Sequence, residues 1–135
     1  MRCGQNSPVI LIDSSAWIEF LRDTGSPACE QVDSLISSGT YTCDPVRMEI
    51  MAGARNDRHL GQLRGLLARC ANLGCEPIDF ETAASLYRTC RSNGMTPRAL
   101  TTALIAAIAL RHGAYVLHHD RDFDAFERYC GLQIH

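Results

Sequence analysis

The stretch Val9-Ile10-Leu11-Ile12-Asp13-Ser14-Ser15-Ala16-Trp17 joins an apolar run to an acid and then to two hydroxyl residues. Four aliphatic residues in a row, with no polar alternation, read as a strand buried on both faces, which is the pattern of a parallel sheet. Ser14 or Ser15 can cap a following helix that carries Ala16, Trp17, Phe20 and Leu21 on one face. The strand thus ends on Asp13, at the carboxyl end where open α/β sheets collect their ligands. A hundred residues later Tyr115-Val116-Leu117-His118-His119-Asp120-Arg121-Asp122 repeats the theme, a short apolar strand running into acids.

Between these two strands the chain alternates helix and strand. Helical spacing predicts a helix from about Pro27 to Ser37, and Thr40 to Cys43 reads as a strand. Asp44-Pro45 reads as N-cap and first residue of a helix with Val46, Met48, Glu49, Ile50 and Met51, closing around Gly53. Leu60, Leu63, Leu66, Leu67 and Ala71 keep helical spacing between Asp57 and Leu73, before a brief strand near Cys75 to Ile78. Asp79 is expected to cap the next helix, with Ala83, Leu86, Tyr87 and Cys90 buried and Asn93-Gly94 as its stop. Thr96-Pro97 is expected to open another helix. Its run from Leu100 to Leu110 is apolar enough to lie in the middle of the fold, and His112-Gly113 ends it. Phe123 to Tyr129 reads as a short helix and Leu132 to Ile134 as an edge strand. Short strands alternating with helices imply a three-layer α/β/α sandwich on a mainly parallel sheet.

Length and composition narrow the classes. At 135 residues the chain fits one domain, residues 1–135, with 1–8 a frayed leader. It is 46% hydrophobic and 21% charged, and no uncharged run is long enough to suggest a membrane span. Seven cysteines form an odd set with no Cys-x-x-Cys pair, as expected of reduced thiols in a cytoplasmic protein. All thirteen basic residues are arginine. The absence of lysine excludes a P-loop lysine, a Schiff-base lysine and the lysine of a receiver domain, while arginine suits bidentate phosphate contacts. A net charge of −2 gives no general basic field, so any nucleic acid must be held locally.

If the two acid-tipped strands are neighbours, their tips lie roughly 5 Å apart, and carboxylates that close resist joint ionisation. A divalent cation relieves the conflict. Magnesium takes oxygen ligands and can activate a water toward a phosphodiester. Glu49 is a third candidate, a lone acid among Met48, Ile50 and Met51. Each acid also has a structural reading: Asp13 as a helix cap, Glu49 as a solvated charge, Asp120 and Asp122 as a turn at a helix start. Alternation places His118 and His119 on opposite faces of their strand, where structural roles fit both.

The ordered combination is more specific. Ile10 to Trp17, then Met48-Glu49-Ile50-Met51-Ala52-Gly53-Ala54, then Leu104-Ile105-Ala106-Ala107-Ile108-Ala109-Leu110-Arg111-His112-Gly113-Ala114, then His119-Asp120-Arg121-Asp122-Phe123 closely resemble the PIN-domain ribonucleases, and among them the VapC-type toxins of bacterial toxin-antitoxin pairs. The resemblance runs from about Val9 to the C-terminus. It implies a metal-dependent endoribonuclease that uses Mg2+ or Mn2+, a VapB-type antitoxin that plugs the acidic site, and a homodimer that forms a higher assembly with that antitoxin. It also implies that Asp13 is a direct metal ligand, that Ser14 is the hydroxyl beside it, and that Glu49 is the second catalytic acid. Asp120 and Asp122 then complete the metal site or orient water, with Asp120 a further ligand.

One position departs from the family. An aspartate ligand is expected two residues before Leu104-Ile105-Ala106, and here Thr102 stands there; no realignment supplies the acid, because the chain has neither Asp nor Glu between Glu81 and Asp120. Threonine can offer a hydroxyl or hold a water but supplies no charge, so impaired activity is expected, and a non-catalytic PIN-like protein that binds antitoxin or RNA is the alternative. Arg47, Arg55, Arg98 and Arg121 are candidates to guide RNA, Arg121 being the one nearest the last acids, although a helix arginine is commonly a solvated charge. The antitoxin is expected in a groove between the Ser14 to Leu21 helix and the helices after it, near Trp17 and Phe20, although aromatic residues there also suit the core.

Overall fold

The computed structural model describes residues 7–135. The frayed leader expected over 1–8 therefore lies mostly outside the described residues, and Ser7 and Pro8 carry no regular structure. The elements run β1 (Ile10–Ile12), α1 (Ser14–Leu21), α2 (Pro27–Leu35), β2 (Tyr41–Cys43), α3 (Asp44–Ala52), α4 (Asp57–Leu67), β3 (Ala71–Leu73), α5 (Pro77–Ser92), α6 (Leu100–His112), β4 (Tyr115–Leu117), α7 (Asp122–Cys130) and β5 (Gln133–Ile134). The strands form one sheet in the order β3-β2-β1-β4-β5, with all pairs parallel. The architecture is the three-layer α/β/α sandwich that the sequence implies.

Strand order decides where a site can form. After β1 the chain moves outward on one side through β2 and β3, then crosses back by α5 and α6 to β4 on the other side of β1. Connections leave β1 and β4 in opposite directions, so a crevice opens beyond their carboxyl ends. The register Ile10↔Tyr115, Leu11↔Val116 and Ile12↔Leu117 brings Asp13 level with His118, and Asp13 N–H donates to the Leu117 carbonyl at 2.9 Å.

All three residues of β1 are buried, as its unbroken apolar run requires. Around it pack Trp17, Val46, Ile105, Ile108, Val116, Phe123 and Phe126, each no more than 1% exposed. Trp17 is thus a core residue, whereas Phe20 is half-buried and meets it edge to face at 6.0 Å. Helix α6 buries Thr102, Ala103, Ile105, Ala106, Ala107, Ile108 and Ala109, the central position that its composition predicts. Its small residues let other elements approach closely, and Gly113 ends it in the left-handed region at φ 65°.

Several boundaries differ from the sequence reading. The third strand is Ala71–Leu73, not Cys75 to Ile78, because Pro77 opens α5 inside the apolar run and Leu73 is the one buried residue of that edge strand. Helix α4 accordingly ends at Leu67. Asp79 is not the cap of α5: Glu76 holds that position, and Asp79 accepts from Glu76 N–H at 2.8 Å from one turn inside. Asp44 is the first residue of α3, with Cys43 its N-cap. Asp13, rather than either serine, caps α1. Thr96-Pro97 opens no helix. Arg98 N–H donates to Asp122 Oδ2 at 2.8 Å, which ties this backbone to α7 and delays α6 until Leu100.

Candidate active site

Asp13 is 3% exposed, and as N-cap of α1 it accepts through Oδ2 from Ser15 N–H at 2.9 Å and from Ser15 Oγ at 2.6 Å. The Ser15 hydroxyl in turn accepts from His119 N–H at 2.9 Å. One serine therefore ties the tip of β1 to the segment leaving β4, a link that the sequence reading missed. Its signal was present in Ser15 standing two residues after a strand-end aspartate, the spacing of an N-cap bond.

Ser14 turns the other way and donates to Glu49 Oε1 at 2.8 Å, which brings the exposed acid of α3 to the same mouth. Burial pushes the Asp13 carboxyl up to about 6; the Ser15 hydrogen bonds pull it down, and the negative charges of Glu49 and Asp120 push it up again. Glu49 and Asp120, from two other parts of the chain, thus both lie close enough to act on Asp13, and their charges add to burial in disfavouring its ionised form.

Asp120 is half-buried in the turn after β4, and Asp122 is buried in the first turn of α7. Asp120 Oδ1 accepts from Asp122 N–H at 2.9 Å, the local bond of a helix entry. Arg98 joins both acids: Nη2 donates to Asp120 Oδ1 at 2.6 Å and Nε to Asp122 Oδ1 at 3.2 Å. Asp122 is therefore engaged through both oxygens, while Asp120 keeps Oδ2 for other partners. Arg98 was one of four candidate arginines out of thirteen in the sequence, and nothing in its spacing marked it as the partner of these acids.

The remaining candidates lie on α3, α6 and α7 and the segments beside them. Thr102 is 7% exposed in the first turn of α6, four residues after Arg98, and that first turn carries no acid. Arg121 is exposed at the start of α7, and Arg47 and Arg55 are respectively half-buried and exposed. His118 Nδ1 accepts from Asp120 N–H at 3.1 Å and its ring lies 4.8 Å from Phe123; burial holds it below the usual histidine range. His119 reaches Glu19 at 3.7 Å. A cavity of about 340 Å³ opens beside Glu49, between Ile18 and Leu21 of α1 and Ile50, Arg55 and Leu63 beyond it, on the expected helix but lined by neither Trp17 nor Phe20.

The donor set is all oxygen, from Asp13, Glu49 and Asp120, which matches a hard divalent cation in kind. No group of three or more His, Cys, Asp or Glu residues among the described residues closes into a metal cage. An ion held through one or two carboxylates and its own waters fits such an open set, and that is how magnesium is commonly bound.

This mouth lies at the crevice between β1 and β4, with an acid on each strand's exit and a third on α3. The PIN domain pattern matches residues 10–129 of the chain. Ribonuclease VapC11 of Mycobacterium tuberculosis is 43% identical over 129 residues, covering 93% of this chain and 96% of that protein. The chain is a PIN domain of the VapC family. A VapC ribonuclease of Mycobacterium bovis shows the same 43% identity and the same coverage. The fold of this VapC chain also matches VapBC2 of Rickettsia felis, solved bound to a DNA fragment from its promoter, with TM-score 0.75 at 13% identity over 94% of this chain and 97% of that one. VapBC-1 of nontypeable Haemophilus influenzae matches with TM-score 0.75 at 16% identity over 94% and 96%. No helix of the described residues is long and apolar enough to cross a membrane.

Proposed function

We propose that this VapC chain is the endoribonuclease toxin of a toxin-antitoxin pair, dependent on Mg2+ or Mn2+, with the whole of residues 1–135 acting as one domain and with its activity weakened by Thr102. The observation that carries the reading is the Asp13 carboxyl, buried at the tip of β1, with Glu49 held at the same mouth by Ser14 and the Asp120 segment tied to it through Ser15. A purely structural cap needs no such neighbours. The family relation supports the substrate class, because VapC relatives at 43% identity are named ribonucleases.

A divalent cation at this mouth would supply the positive charge that favours the ionised form of Asp13 and would activate a water toward the phosphodiester. Asp13 and Asp120 would hold it, Asp120 through its free Oδ2. Glu49, fixed by Ser14, would take a proton from the attacking water or add a further ligand. Asp122, bonded through both oxygens to Arg98, orients the start of α7 and so sets the position of Asp120. Arg121, exposed beside the acids, suits a phosphate of the RNA. Thr102 places a hydroxyl at the opening of α6, at the position where the resemblance leads to the expectation of an acid. The missing charge is expected to cost about 10² to 10⁴ in rate, the usual effect of losing a positioned general base.

For the partner, the cavity beside Glu49 favours a VapB-type antitoxin segment that lays apolar side chains against Ile18, Leu21 and Leu63 and a basic residue toward the acids. The exposed apolar residues Met48, Phe80 and Leu100, beside Leu104, suit self-association as a homodimer. Thr102 favours one other reading, a PIN-like chain that binds antitoxin or RNA without cutting it. The two separate on cleavage of a structured RNA with and without Mn2+. The nuclease reading expects slow Mn2+-dependent cleavage by this chain and cleavage raised by about 10² or more in Thr102→Asp. No cleavage by either chain contradicts it.

A further inference from the structure

We propose that Arg98 is a built-in counter-cation of the acid mouth, a positioning residue that orders Asp120 and Asp122 while lowering the affinity of the same mouth for a divalent ion. The proposal rests on the divalent-ion reading of the site given above. Three donors from this one residue fall on the last two acids: Nη2 on Asp120 Oδ1 at 2.6 Å, Nε on Asp122 Oδ1 at 3.2 Å and the backbone N–H on Asp122 Oδ2 at 2.8 Å. A guanidinium that spans two carboxylates does what a bound cation does, satisfying oxygens and cancelling charge.

Burial separates the two partners. The Asp122 side chain is 7% exposed and Asp120 24%, but the Arg98 side chain is 60% exposed. Asp122 also holds its backbone N–H donor at Oδ2, so it stays anchored if the guanidinium leaves. The charged head thus lies over the acids from the solvent side, on a loop that α6 follows two residues later. It is a removable charge rather than half of a sealed core pair.

Thr102 makes this charge count for more. The first turn of α6, four residues beyond Arg98, carries no acid, so no carboxylate from that helix offsets the guanidinium. A unit positive charge bonded to one oxygen of Asp120 repels a divalent ion held by the same carboxylate and, screened by water and salt, is expected to weaken ion binding about three- to tenfold. A divalent ion at Asp120 Oδ2 therefore binds against the charge of Arg98 on Oδ1, and phosphates of RNA that draw the guanidinium away would remove that charge.

The test is a Mn2+ titration, followed by electron paramagnetic resonance of the free ion and by calorimetry, on the full chain, on Arg98→Gln and Arg98→Lys, and on the same substitutions combined with Thr102→Asp. The expected result is three- to tenfold tighter Mn2+ binding in Arg98→Gln, with Arg98→Lys, which keeps the charge but not the fork, close to its parent. Unchanged or weaker binding in Arg98→Gln overturns the proposal. So does tightening in Arg98→Lys, a comparison that still decides the matter if Arg98→Gln does not fold. Mn2+ binding by Thr102→Asp that ignores residue 98 overturns the role of Arg98 and leaves the metal-site reading standing. No binding by any chain overturns both.

Discussion

At the scale of the residue, Asp13 is where the helix-cap reading and the metal-site reading meet. The structure shows that they do not exclude one another. Oδ2 caps α1 and takes both Ser15 bonds, and these bonds hold the carboxyl in place for whatever Oδ1 meets. Holding it buried among acids has a cost that depends on pH. Its carboxyl is raised from 3.8 to about 6 in the folded chain, so the folded form binds more protons than the unfolded one between those values. Stability from this group is present below pH 3.8 and is lost as pH rises toward 6, a change of about 3 kcal/mol. Asp13→Asn removes the titration while keeping an oxygen acceptor for Ser15. In EDTA, urea unfolding is expected to show the variant gaining about 2 kcal/mol on the parent chain between pH 4 and pH 7.5, and a constant difference would contradict the assignment. Asp79 shows the opposite balance. It is 1% exposed and bonded to Arg111 at 2.8 and 3.0 Å, and this guanidinium, ahead of the capping bond from Glu76, holds its carboxyl below the usual range. Asp79→Ala removes that ion pair and the capping bond together, and is expected to lower stability by about 2 to 4 kcal/mol in chemical denaturation at pH 7.

At the scale of the element, the central strands and α6 were legible because their composition admits few alternatives. Val9 to Ile12 has no polar residue to turn toward water, and Leu100 to Leu110 has almost none. The less legible stretches were those whose backbone is held by distant side chains. Thr96-Pro97 carries the local signal of a helix start, but the bond from Arg98 N–H to Asp122 crosses from another part of the chain and cannot be read from spacing. The edge strand Ala71–Leu73 buries one residue, so periodicity had little to register. In the site, Asp13 and Asp120 were readable from their places after strand ends and Glu49 as a lone acid among apolar residues, while the pairing of Arg98 with the last acids was not, because it is made across the fold. Helix α6 also makes a packing prediction. Ala106 is fully buried in a helix that lies against α5, α7 and α3. Ala106→Leu has no space to enter and is expected to cost about 1 to 3 kcal/mol, seen as a fall in midpoint denaturant concentration at unchanged slope.

At the scale of the whole molecule, the strand order β3-β2-β1-β4-β5 does the assembling. It sets β1 and β4 side by side, so that two acids far apart in sequence leave the sheet at one crevice, and it brings α3 and the Arg98 loop to the rim. A chain with no broad basic field thereby gathers its charge at one place. RNA recognition is then expected to depend on the ion and on a few arginines rather than on a wide electrostatic surface, with a correspondingly shallow salt dependence. The central claim is that this crevice is the catalytic centre of a metal-dependent ribonuclease. It is tested most directly by comparing Mn2+-dependent cleavage of a structured RNA by Thr102→Asp with cleavage by the same chain also carrying Asp13→Asn. The account predicts that the second substitution lowers the rate by about 10² or more while the fold survives. An unchanged rate would contradict it.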